Sequence, residues 1–179
     1  IDGLEFDDAL RQAIEKGFAE TPPDLDIEGW DTAHKCQILA SLCYSTPVDL
    51  GGIHVEGITK VTPRDIDFAR SAGYVFKLVA GASLVEGRPL VTVYPAMVPV
   101  DHPLAAVRGE YNAVMVDSDF LGPSIYWGRG AGGRPTASSL ASDLGDLTRI
   151  LVAGPAASPR IPAFERREPF PSDRLRCRC

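Results

Sequence analysis

The sequence predicts an α+β domain: a mixed or antiparallel sheet of about four to five strands with helices packed on one face. Three observations point to that class. Apolar residues recur at helical spacing near both ends, as at Phe6, Leu10, Ala13 and Ile14, and again at Leu140, Leu144, Leu147 and Leu151. Between them lie segments rich in Val, Tyr, Phe and Leu, at 74–84, 90–97, 113–117 and 124–127, a composition that favours strands. Gly, Pro and Asp separate those segments, as turns require.

The elements follow in order. The stripe from Phe6 predicts a helix to about Lys16, with Asp7 and Asp8 complementing the dipole in its first turn and Gly17 as its stop. Pro22-Pro23 forces an extended connection. A second helix is expected over about 30–44, where Cys36, Leu39, Ala40 and Cys43 fall at core spacing. Pro47 and Gly51-Gly52 mark a loop, and 53–58 reads as a short strand. Thr62 and Pro63 are an N-cap and first helical residue, so a third helix should run to about Ala72 and stop at Gly73. Glu86-Gly87 reads as a hairpin turn, while Pro95 and Pro99 cannot donate to a ladder and indicate an edge or a strand end. Gly128–Ser138 is a glycine-rich turn into a last helix, and no internal repeat is visible. After Ala153 the periodicity dissolves. The expected division is a domain over 1–153 and a proline- and arginine-rich linker or disordered tail over 154–179.

Composition narrows the function. A chain of 179 residues, 45% hydrophobic and 23% charged, suffices for one domain with a core. A net charge of −6 with no basic patch argues against nucleic acid. No apolar run is long enough for a membrane span, and no signal peptide opens the chain. Cys177 and Cys179 have no histidine near them and lack four-ligand spacing, so a frayed tail is favoured over a metal site. Cysteines used this way suit a reducing, cytoplasmic setting. Ile1 in place of Met suggests a piece of a longer protein.

The stretch with most chemistry is 17–35. It carries Glu20, Asp24, Asp26 and Asp31 before Lys35. Asp31, Lys35, Ile38 and Leu42 step by four, three and four along one helix face, with the acid before the base. Such a pair is most often a surface salt bridge worth about 0.3–0.5 kcal/mol. At the head of an apolar stripe it should be partly sheltered, and a sheltered lysine is a candidate for proton transfer, because desolvation favours the neutral amine. The spacing leaves both readings open. His34 lies about 100° from Lys35 on the helix and reads as packing or surface. His54 reads as surface and His102 as a turn residue.

The glycine-rich turn invites an anion, since glycines allow close backbone approach and a following helix presents free N–H groups. Arg129 and Arg134 add positive charge. It lacks the Gly-Lys-Ser/Thr ending of a Walker A loop, and no βαβ unit frames it as a Rossmann fingerprint. A tight turn with no ligand is the plainer alternative.

Taken together, these stretches resemble homoserine dehydrogenase. GFAE, DLDIEG and GWDTAHK followed by ILASL are similar to that family's segment from a Gly-aromatic-Ala/Thr-Glu turn to G-x-D-x-x-x-K. VPVDHPLAAVRGEYNAVMV is similar to its VP-x-x-HPLA…G-x-x-NA-x-x-V stretch, and GRGAGGRPTAS to its glycine-rich GxGAGxxPTAS segment. The likeness covers about residues 5–150, and the order of three motifs makes it specific.

The resemblance implies the catalytic, substrate-binding and dimerising domain of an enzyme that interconverts L-aspartate 4-semialdehyde and L-homoserine with NADP or NAD, in threonine, methionine and isoleucine biosynthesis. Its dinucleotide-binding domain would precede Ile1, and in some members a tail such as this one leads to a regulatory domain of the ACT type. By position, Lys35 matches the catalytic lysine and Asp31 the acid that orients it. Glu20 and Asp26 match acids at the substrate site, and Gly132 matches a glycine in contact with the cofactor. No metal ligand carries over, and a homodimer through the sheet is expected. Thr21-Pro22-Pro23, Trp30 and Trp127 depart from the family's usual residues and bear on fine substrate contacts. The competing reading is a binding or dimerisation module without chemistry of its own. A weaker one is a phosphate-binding domain built on Gly128–Thr136.

Overall fold

The computed structural model describes residues 4–19, 21–130, 132–154 and 163–172. Among them the helices are α1 (Phe6–Glu15), α2 (Asp24–Ile27), α3 (Trp30–Tyr44), α4 (Pro63–Ser71) and α5 (Gly133–Ala153). The strands are β1 (His54–Val55), β2 (Tyr74–Val85), β3 (Arg88–Pro99), β4 (Tyr111–Ser118) and β5 (Gly122–Arg129). The expected α+β class holds, with the strands divided between a three-stranded sheet in the order β1-β3-β2 and a separate β4-β5 ribbon.

The main sheet is mixed. β1 runs parallel to β3 through His54↔Thr92 and Val55↔Val93, while β2 and β3 pair antiparallel along their full length. Glu86 and Gly87, at φ 53° and 74°, form their turn. Two left-handed residues match the strands' twist, and this is the hairpin their sequence predicts. Pro95 sits inside the central strand, yet β1 ends opposite Val93, so β3 is already an edge on that side at Pro95. The missing N–H therefore costs no ladder bond.

Side chains alternate across a sheet, so Phe76, Leu78 and Ala80 on β2 share a face with Val91, Val93 and Pro95 on β3. α3 covers this face. Ala33, Ala40, Val48, Ile53, Val91 and Val93 are buried together, with Cys36, Tyr44, Leu78 and Ala80 packed against them. α4 follows a loop that meets the same face at Phe76 and Pro95. It starts from a capping box in which the Thr62 hydroxyl accepts from the Asp65 N–H and the Asp65 carboxylate accepts from the Thr62 N–H.

The buried face of α3 differs from the expected one. Ala33, Cys36, Ala40 and Tyr44 turn inward, whereas Leu39 and Cys43 are exposed. Two alanines let the helix lie close on the sheet, a contact that bulkier Leu39 would prevent. Burial pushes the Cys36 thiol pKa up, which suits a packing role.

Two parts stand away from this core. The β4-β5 ribbon exposes Val114, Met115, Ile125, Tyr126 and Trp127, and the expected apolar stripe of α5 at Leu140, Leu144, Leu147 and Leu151 is exposed as well. The base of the ribbon is tied to the sheet by half-buried Lys77 on β2, whose ammonium donates to the Val107 carbonyl. Burial, and then the neighbouring Arg108, push the Lys77 pKa down.

The expectation of a loose tail does not hold for its described part. Residues 163–171 form no helix or strand, but they lie along the core. Glu165 N–H donates to Ser45 and Phe170 N–H to Pro89. Proline and arginine suppress periodicity without preventing an extended segment from docking through its remaining backbone groups. No helix among the described residues is long and apolar enough to cross a membrane.

Candidate active site

Gly17 follows the end of α1, and its φ of 69° lets the chain reverse into the Gly17–Ala19 turn. Glu20 follows and lies outside the described residues. The chain then enters α2, which carries half-buried Asp26. α2 is locked in place by β1's exit. The Ile58 N–H donates to the Ile27 carbonyl at 2.8 Å, and a Cβ on Gly57 would stand 2.3 Å from that oxygen and 2.5 Å from the Glu28 Cα. Only glycine permits that approach.

Gly29, at φ 84°, turns the chain into α3. Asp31 and Lys35 occupy its first two turns, and the Lys35 ammonium donates to Asp31 Oδ2 at 2.5 Å. The order acid before base is the one the helix dipole favours. The expected shelter is absent among the described residues: the side chains of Lys35 and Asp31 are 57% and 42% exposed. Ile38 and Leu42, the apolar continuation of that face, are exposed too. The face carrying the pair is opposite the one that the sheet buries.

A second locus forms at the start of α5. A cavity of about 250 Å³ is lined by Lys16, Gly17, Phe18, Glu110, Arg129 and the Gly132–Pro135 segment. Residues from all three motifs therefore meet there. Arg129 is committed to its neighbours: it lies 3.5 Å from Glu110 Oε1, donates to the Tyr111 hydroxyl at 3.2 Å and stacks over the Tyr111 ring. The Tyr111 hydroxyl, and then Glu110, push its pKa further up. Gly130 closes the cluster by donating to the Glu110 carbonyl at 2.9 Å. Gly132 precedes α5 at φ 110°, and its carbonyl accepts the first helical bond, from Thr136. Pro135 has no N–H, which leaves the Gly133 and Arg134 amides at the helix start. This donor set, two amides with Lys16 and Arg134 beside the Arg129–Glu110 pair, fits an anionic group such as the phosphates of a dinucleotide.

The structure thus brings Gly132 together with the turn just before Glu20. Asp26, Asp31 and Lys35 do not line that cavity. Glu110 on its wall has no role legible in the sequence, where Arg129 stands out only as positive charge on the glycine-rich turn. Their signal was weak, because their meeting depends on the β4-β5 register, in which Tyr111 pairs with Arg129. His102 is the expected turn residue, with its Nδ1 accepting from the Leu104 N–H at 3.2 Å. Among the described residues no three His, Cys, Asp or Glu side chains converge to hold a metal ion.

Comparison with known proteins assigns the family. The sequence profile of homoserine dehydrogenase matches residues 1–144. Homoserine dehydrogenase of Mycobacterium tuberculosis is 43% identical over 157 residues, covering 85% of this chain and 36% of the relative. The crystal structure of a homoserine dehydrogenase from Thiobacillus denitrificans superposes with a TM-score of 0.82 at 39% identity, over 92% of this chain and 38% of that one. A hyperthermophilic archaeal homoserine dehydrogenase in complex with NADPH superposes at 0.67 with 29% identity, over 89% of this chain and 43% of that one. The chain spans little more than a third of the length of the curated relatives it matches. Fold, motifs and profile agree, and the chain belongs to the homoserine dehydrogenase family.

Proposed function

We propose that this chain is the catalytic, substrate-binding and dimerising portion of a cytoplasmic enzyme that interconverts L-aspartate 4-semialdehyde and L-homoserine, in the biosynthesis of threonine, methionine and isoleucine. The observation that carries this reading is the 2.5 Å contact between Asp31 and Lys35 on an open helix face. It presents an ammonium already oriented by a carboxylate, beside apolar residues suited to being covered when the site closes.

In this reading Lys35 gives a proton to the substrate oxygen as the aldehyde is reduced and takes it back as the alcohol is oxidised. Asp31 fixes the direction of the ammonium. Glu20 and Asp26 hold the substrate's own ammonium group, a task that requires carboxylates. NADP or NAD supplies the hydride acceptor or donor. Gly132, the amides that follow it, Lys16 and Arg134 hold its anionic portion. An upstream domain provides the rest of the dinucleotide site, which is where the choice between NAD and NADP is made.

The test is homoserine-dependent reduction of NAD(P) by the full-length parent and its Lys35→Ala variant. Turnover is expected to fall about a hundred- to ten-thousand-fold, with dinucleotide affinity and circular dichroism unchanged. Near-normal turnover would return the pair to an ordinary surface salt bridge.

The exposed apolar faces of the β4-β5 ribbon and α5 favour a second role, as an assembly surface on which two copies pair through the sheet. The two roles are compatible. An inactive but dimeric parent would leave only the second.

A further inference from the structure

The chain returns on itself at a place that neither the proposed chemistry nor the periodicity uses. Residues 163–172 run past the C-terminal end of α3 and the turn of the β2-β3 hairpin. The Glu165 N–H donates to the Ser45 carbonyl at 2.9 Å, just beyond the last turn of α3. The Arg167 N–H donates to Thr46 Oγ1 at 3.1 Å. Thr46 is 0% exposed and is the one buried polar side chain among the described residues. On the hairpin side the Phe170 N–H donates to the Pro89 carbonyl at 2.9 Å. Arg88 donates in the other direction, to the Glu168 carbonyl at 3.3 Å and the Pro169 carbonyl at 2.5 Å.

These bonds add to side-chain packing and to one direct bond between the same elements, in which the Tyr44 hydroxyl at the end of α3 donates to the Ala82 carbonyl on β2 at 2.9 Å. A helix leaves its last carbonyls without intrahelical partners, and a buried hydroxyl needs a partner of its own. The returning segment meets both needs at the end of α3 and fastens that end to the hairpin. α3 has 15 residues and is a stiff rod about 22 Å long. A change of seating at Ser45 is therefore carried to its first two turns, where Asp31 and Lys35 stand.

We propose that residues 163–172 are a strap that seats α3 on the β2-β3 hairpin and thereby places Asp31 and Lys35. Thr46 and Arg88 are positioning residues, since they act through the helix. The catalytic half of this proposal rests on the proton-transfer reading of Lys35.

The test uses the full-length parent with Thr46→Val and Arg88→Met, which loosen the strap at its two ends, and Thr46→Ser, which keeps the acceptor. Three quantities are read: hydrogen exchange of the α3 amides, kcat and KM for homoserine, and dinucleotide Kd by fluorescence. Thr46→Val and Arg88→Met are each expected to speed exchange in the last turns of α3 about five- to tenfold. The expected fall in kcat is about three- to tenfold, less than the roughly hundredfold loss that a 1 Å misplacement can bring. Dinucleotide Kd should stay constant, and Thr46→Ser should retain wild-type exchange and kcat. Unchanged exchange in both loosening variants overturns the strap. Faster exchange with unchanged kcat overturns its link to the site. A Lys35→Ala parent with wild-type turnover overturns the proton-transfer reading and the catalytic half with it, while the exchange rates still decide whether the segment seats α3.

Discussion

Gly57 shows how one missing side chain places another. Its hydrogen atoms face the Ile27 carbonyl and the Glu28 backbone at distances that no Cβ can occupy. Because the obstacle is backbone, no rotamer change relieves it. Gly57→Ala must push α2 and β1 apart, and overpacking of this kind costs about 1–3 kcal/mol. Urea unfolding should show that loss, and KM for homoserine should rise as Asp26 moves with α2. None of this could be read from the sequence, in which Gly57 falls within the short strand expected over 53–58. Asp31 and Lys35 were legible as a contact, since i,i+4 spacing on a helix dictates it. Their exposure was not, because a repeat every three or four residues defines more than one stripe, and the sheet chose the stripe of Ala33 and Ala40.

At the scale of elements, local signals mapped the helices and strands well. Thr62-Pro63 began α4, Gly73 followed its end at φ 81°, and Glu86-Gly87 made the hairpin. Each of these depends on neighbours in sequence. The division of the strands into a sheet and a separate ribbon depends on distant pairing and was not legible. The capping box of α4 also has a pH signature. The Thr62 hydroxyl, and then its N–H, hold the Asp65 carboxyl below the usual carboxylate range. A depressed acid adds stability above its unfolded pKa, and the gain is lost as pH falls through the folded value. Thr62→Ala should therefore lower the urea midpoint at neutral pH, and the gap from wild type should narrow as the solution is acidified toward about pH 3. A gap of constant size would assign the loss to the pH-independent bond from the Asp65 N–H to the Thr62 hydroxyl instead.

At the scale of the molecule, the β4-β5 ribbon is the part least served by its own chain. Val114 and Tyr126 pair across it and are both exposed. Contiguous apolar surface of this kind marks an interface. If two copies pair there, Val114→Glu in the full-length parent should shift the sedimentation coefficient from dimer to monomer, with circular dichroism unchanged. A wild-type parent already monomeric at micromolar concentration would remove the ribbon from that role. The contact between Arg167 and Thr46 spans 121 residues, and this sets an order of events during synthesis. α3 leaves the ribosome early, yet Arg167, the partner of the buried Thr46 just beyond it, is made 121 residues after that threonine. At about 5–20 residues per second that interval is on the order of ten seconds. Until then the Ser45 carbonyl and the Thr46 hydroxyl lack the Glu165 and Arg167 N–H groups that they accept from in the folded chain. A nascent chain that stops short of Ala163 never leaves that state, and it is the state that chaperones and proteases meet first.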